Sequence, residues 1–219
     1  MSEREEIAKA TQEVAKATSN AFDKAEKAGT FIAKYIDAPL TEITGIWNDK
    51  LKYRRWENQL NLWTKANKKL QDLGLESPRK ELPLKLGLPL IEAASLEDDN
   101  QLQELWANLL VNSSTVFSLE RSYISVLEQL SAVEAEILLK IYDSISDSIK
   151  DDDFRFIINP EDIFIDLSSS NISKLDFNLA LSNLIRLDCI GHVIHLSGEK
   201  DHTTLFGKFL FEAIKEPTN

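Results

Sequence analysis

The chain has 219 residues, 43% of them hydrophobic, and a formal net charge of −11. This length can hold one large domain or two small ones around a sizeable core, and no run of about 18 apolar residues is present to cross a membrane. A single cysteine excludes an internal disulfide and points to a reducing cytoplasm, and the acidic start of the chain lacks the apolar core of a secretory signal.

The charge is unevenly spread. Residues 1–80 carry 15 Lys/Arg against 12 Asp/Glu, whereas residues 81–219 carry 10 against 24. Phosphate contacts need clustered cations, so this balance disfavours nucleic acid as a partner of the C-terminal part and places any anionic partner at the N-terminal part.

Residues 3–28 read as a long, weakly apolar helix. Ile7, Val14, Ala21 and Ala28 fall at seven-residue spacing, with Tyr35 next in phase. A small-residue seam of this kind suits close helix–helix contact and makes this helix the candidate surface for homo-oligomer formation. Its low apolar bulk disfavours a lipid-bound role, although membrane contact stays open.

Gly29 and Thr30 interrupt that pattern, and a second long helix is expected from Leu40 to Leu73 with Gly74 as its terminator. Within it lies the basic-aromatic word KLKYRRWENQLNLW. Lys50, Lys52, Tyr53, Arg54, Arg55 and Trp56 form the candidate interaction surface, because Arg beside aromatics binds phosphates, stacks on bases or meets an anionic membrane. The competing reading, which we favour, pairs these cations with the acidic remainder of the chain.

Residues 83–112 read as two short amphipathic helices joined by an acidic turn. Pro83 fits a first helical turn, and Leu84, Leu88, Ile91 and Ser95 follow at helical spacing, with Pro89 expected to kink the segment or mark a fresh start. Asp98 or Asp99 is expected to cap the next helix, with Gln101 three residues after Asp98 as in a capping box. Leu102, Leu105, Trp106, Leu109 and Leu110 make one apolar stripe. The acidic Glu97-Asp98-Asp99 is read as a helix cap and not as a magnesium site.

The words LPLIEAASLEDD and LQELWANLL in this stretch resemble the core of the bacterial abortive-infection alpha family, whose members are implicated in defence against phage. The resemblance runs over most of the chain, including Arg55-Trp56-Glu57-Asn58-Gln59. It implies an anti-phage role and supplies no catalytic motif.

A further helix is expected over Leu119–Leu130. Ser131-x-x-Glu134 is a capping box leading into Ile137, Leu138, Ile141 and Ile145. Phe154–Ile158 reads as a short strand after an acidic turn, and the Ser168–Ser170 run as a loop. Leu175, Leu179, Leu181, Leu184, Ile185 and Leu187 mark a helix ending near Gly191. A strand over His192–Leu196, a turn over Gly198–Asp201, and a strand or helix over Thr203–Ile214 complete the chain. A helix followed by a hairpin resembles a winged-helix module. Its second helix offers Lys174 and Arg186 against Asp176 and Asp188, a net charge of zero, which favours a protein-binding or structural role over DNA.

Cys189, His192, His195 and His202 are all of zinc-ligand type and lie within 14 residues. Their spacing lacks the paired short intervals of zinc fingers, so no metal is assigned. No phosphate loop, nucleophile elbow, HExxH or CxxC occurs, so no cofactor or catalytic residue is assigned either.

The expected protein is mainly α. Long N-terminal helices (1–75) and a central helical region (76–130) precede a small winged-helix-like α+β module (131–219). The expected function is a non-enzymatic, cytoplasmic anti-phage protein acting through an unidentified host or phage protein. The alternatives are a nucleic-acid-associated regulator and a membrane-perturbing effector.

Overall fold

The computed structural model describes residues 35–37, 52–145, 156–167, 172–195 and 198–218. The expected helix over residues 3–28, with its alanine seam, and the start of the expected second helix lie outside the described residues.

A two-residue strand, β1 (Ile36–Asp37), runs parallel to β2 (Leu82–Pro83). Helix α1 (Lys52–Asp72) occupies the C-terminal part of the second long helix expected from sequence. Gly74, at φ 69°, ends it: the Gly74 and Leu75 N–H groups bond back to the Gln71 and Leu70 carbonyls, each at 2.8 Å. This is the paired closure that a left-handed glycine permits.

Helix α2 (Leu84–Ala94) starts with Pro83 as its N-cap and runs through Pro89 as one element, so Pro89 marks no fresh start. The carbonyl deprived of a partner belongs to Lys85, an exposed residue where water can serve it. Helix α3 (Asn100–Thr115) is capped by Asp99, whose carboxylate accepts from the Gln101 and Leu102 N–H groups. Gln101 therefore donates its backbone to Asp99, and the capping box expected from Asp98 gives way to Asp99 alone.

Helix α3 is the centre of the fold. Leu102, Leu105, Trp106, Leu109, Leu110 and Val111 are all buried, and so are Gln103, Asn108, Asn112, Ser113 and Ser114. A helix covered on nearly every side must be surrounded by other elements; α1, α2, α5 and α8 pack against it.

Helix α4 (Arg121–Leu127) is shorter than the expected Leu119–Leu130. Helix α5 (Ala132–Ile145) begins at the expected capping box: the Ser131 N–H donates to Glu134 at 2.6 Å, and the Glu134 N–H donates to Ser131 Oγ at 3.3 Å. Strand β3 (Ile157–Ile158) leads into α6 (Pro160–Asp166) and α7 (Lys174–Arg186). Strands β4 (Ile190–His195) and β5 (Gly198–Thr203) form an antiparallel hairpin, and α8 (Leu205–Ile214) closes the fold.

The sheet order is β3-β5-β4, antiparallel throughout. Two expectations are corrected here. Helix α7 ends at Arg186 and not near Gly191; Asp188, held at φ 58°, closes it, with the Asp188 N–H bonded to Ile185 O and the Cys189 N–H to Leu184 O. Gly198–Asp201 is strand rather than turn, as the opening part of β5.

Helix α8 is anchored through Tyr142, which stacks on Phe211 with centroids 5.7 Å apart. The Tyr142 hydroxyl donates to the Cys189 carbonyl at 2.7 Å and accepts from the Thr204 N–H at 3.1 Å. A Cβ at position 207 would lie 1.9 Å from the Cys189 oxygen and 2.1 Å from Tyr142 Oη, so only glycine fits.

Candidate functional site

Lys52, Tyr53, Arg54, Arg55 and Trp56 open helix α1, and Lys50 lies outside the described residues. The first turn of α1 contains no acidic residue. Arg55 is half-buried.

Farther along α1, Lys65 and Lys69 pair with the acidic body. Lys65 bonds Glu104 and Asn100, while the buried Lys69 lies 3.0 Å from Glu104 and 2.8 Å from Glu216. Burial pushes the Glu104 carboxyl up, but hydrogen bonds and charge from Lys65 and Lys69 outweigh it and hold the group below the usual carboxylate range.

The acidic turn between α2 and α3 is stapled to α1. Asn58 Nδ2 lies 3.1 Å from both the Ser95 carbonyl and Asp98 Oδ1, and Gln103 Nε2 donates to Asn58 Oδ1 at 3.1 Å and to the Glu97 carbonyl at 2.7 Å. Glu97 also accepts from the Asp99 N–H. These acids therefore serve as caps and hydrogen-bond acceptors, and no group of three or more metal-ligating residues occurs among the described residues.

The hairpin register sets two of the zinc-type residues, His192 and His202, apart. His192 stands opposite Asp201 and bonds it through Nδ1 at 2.7 Å, whereas His202 stands opposite Gly191, so the two histidines occupy opposite faces. His202 Nδ1 lies 2.8 Å from the Thr203 carbonyl, and its ring covers Gly191, where a Cβ would fall 2.2 Å from Cε1. Cys189 is buried, and burial first, with the nearby acids Asp188 and Glu134, pushes its thiol up to about 12.

A cleft of about 430 Å³ opens beside this hairpin, lined in part by Asp188, Gly191, His202, Thr204 and Leu205. Its accessible hydroxyl is already committed: Thr204 Oγ1 donates to the Asp188 carbonyl at 2.6 Å and accepts the Gly207 N–H at 2.9 Å as the cap of α8. Thr203 and Cys189 are buried. The described lining thus presents no activated nucleophile.

Helix α7 shows a different chemistry. Leu175 is 68% and Leu179 60% exposed, one helical turn apart on one face. Both cations of α7 are held within the fold. Lys174 bonds Glu161 at 2.7 Å and covers the Phe164 ring at 4.4 Å, and Arg186 bonds Asn183 and Gln129. Sequence periodicity counts Leu175 and Leu179 with the core stripe of this helix; burial alone separates them from Phe177, Ala180, Leu181 and Leu184.

The family model for abortive infection alpha matches residues 56–212. The match begins at Trp56, after the cations of the basic-aromatic word, and spans α3, α7 and the hairpin. No curated protein and no solved structure matches the chain.

Proposed function

The chain belongs to the abortive infection alpha family, and on that premise we propose that it is a non-enzymatic anti-phage protein acting through protein contacts made by α7. The observation that carries this reading is the exposed Leu175–Leu179 pair on a helix whose cations are already bonded internally. An apolar, charge-poor centre is the composition of a protein interface, whereas a DNA-reading helix keeps its cations available for phosphate and base edges.

The order α5, β3, α6, α7, β4, β5, with β3 next to β5 in the sheet, supports a winged-helix-like reading of residues 131–219. In that reading α7 takes the recognition position and offers leucine in place of arginine. The absence of a membrane-crossing helix among the described residues agrees with a site of action reached from the cytoplasm.

A second reading rests on the start of α1. Lys50, Lys52, Arg54 and Arg55 lie close together beside Tyr53 and Trp56, the composition of a phosphate-binding or base-stacking surface. Titrating labelled duplex DNA, single-stranded RNA and anionic vesicles separates the two. The α7 reading predicts no appreciable binding near physiological salt, and salt-sensitive micromolar binding lost on replacing Lys50, Lys52, Arg54 and Arg55 by Gln overturns it.

A further inference from the structure

We infer that the α6–α7 corner is a docking site for a cationic amphipathic helix of a partner protein. The inference rests on the α7 reading above and names the chemistry of the partner. Leu175 and Leu179 supply an apolar strip, and Ile165 on the neighbouring α6 is 64% exposed. The first turn of α7 is held against α6, with the Phe164 and Phe177 rings 5.2 Å apart and Lys174 bonded to Glu161.

The charge around this strip is acidic. Residues 160–186 contain four exposed acids; Glu161 is ion-paired with Lys174 and Asp166 with Lys140 of α5 at 3.4 Å, so the acidic border is carried by Asp162 and Asp176. Lys174 is ion-paired with Glu161, and Arg186, at the far end of α7, is held by the neutral Asn183 and Gln129. Asp162 and Asp176 accept hydrogen bonds from Asn159 and Ser173, neutral partners that leave their charge in place.

An apolar strip with an acidic border is complementary to a helix carrying Leu-type anchors at i and i+4, flanked by Lys or Arg. An acidic partner helix would meet the like charge of Asp162 and Asp176. The small, regularly spaced strip of two leucines suits a single helix more than a broad flat surface.

The test uses the full chain and two synthetic probes: a Leu/Lys amphipathic helical peptide and its Leu/Glu counterpart. Calorimetry should show the Leu/Lys peptide binding and the Leu/Glu peptide not. Leu175→Ser with Leu179→Ser should weaken binding about tenfold or more, and Asp162→Asn with Asp176→Asn should reduce it and its salt dependence. Melting temperatures would verify that each variant is folded.

Equal binding of both peptides, or binding unaffected by the leucine changes, overturns the inference. So does a wild-type dimer that the leucine changes split, since the occupant would then be a second copy. Loss of phage protection in the leucine variant without peptide binding refutes the cationic helix and leaves the protein-contact reading standing. Peptide binding as expected with intact protection supports the site and removes it from the defence function.

Discussion

The Nδ2 atom of Asn112 lies 3.0 Å from the carbonyl oxygen of Ala213, 101 residues later in the chain. The same amide also lies 3.0 Å from the Lys215 carbonyl, and Asn108, one turn earlier on α3, reaches the Ile214 carbonyl at 2.8 Å. Two asparagines of the family-like helix thus satisfy the open carbonyls at the end of α8. Asn112→Ala should destabilise the protein by about 1–3 kcal/mol, because buried acceptors lose their donor. Urea denaturation would measure this, and an unchanged midpoint would contradict it.

Trp106 is 1% exposed at the centre of α3, and its indole N–H has no hydrogen-bond partner. Its contribution is packing. Trp106→Ala should cost about 3–5 kcal/mol and abolish phage protection through loss of the fold. Trp106→Phe surrenders no hydrogen bond and should cost clearly less; similar melting temperatures for the two variants would count against this account.

How much of this was legible in the sequence depends on whether the signal is local. The Ser131–Glu134 box, Gly74 and the Asp99 cap are set by neighbouring residues, and the structure has all three. Helix α6 also carries a local signal that the reading missed: Asn159 caps it, Pro160 follows, and Glu161 and Asp162 occupy its first turn. The roles of Asn58, Asn108 and Asn112, and the Gln103–Asn58 bond, arise from contacts 37 to 106 residues apart and leave no local trace. The exposed Leu175–Leu179 face is hidden for a related reason, since a leucine-rich helix reads as buried on every leucine.

Glu104 links stability to pH. Its folded-state carboxyl titrates below the ordinary value near 4.3, so the unfolded chain binds the proton more readily. The contribution is fully present above the unfolded value and is lost as pH falls through the folded one. Glu104→Gln should lower stability at about pH 6 by ~1 kcal/mol at most, because solvent screens the pair, and the two proteins should converge as pH falls through the folded-state value. A constant difference across that range would contradict the linkage.

Cys189 should be inert in the native protein, since its thiol is buried and pushed up to about 12. Alkylating reagents should label it only on unfolding. Zinc should not raise the melting temperature, given the opposed faces of His192 and His202. One equivalent of zinc by elemental analysis would contradict the hairpin description.

The central claim, defence through the exposed face of α7, is tested most directly by phage plating on cells expressing the wild type or the Leu175→Asp, Leu179→Asp double variant. Both side chains are exposed, so the variant should keep the wild-type melting temperature. The account predicts that the wild type lowers plaquing for at least one phage of a broad panel and that the variant restores it. A folded variant that protects as well as the wild type would contradict the claim.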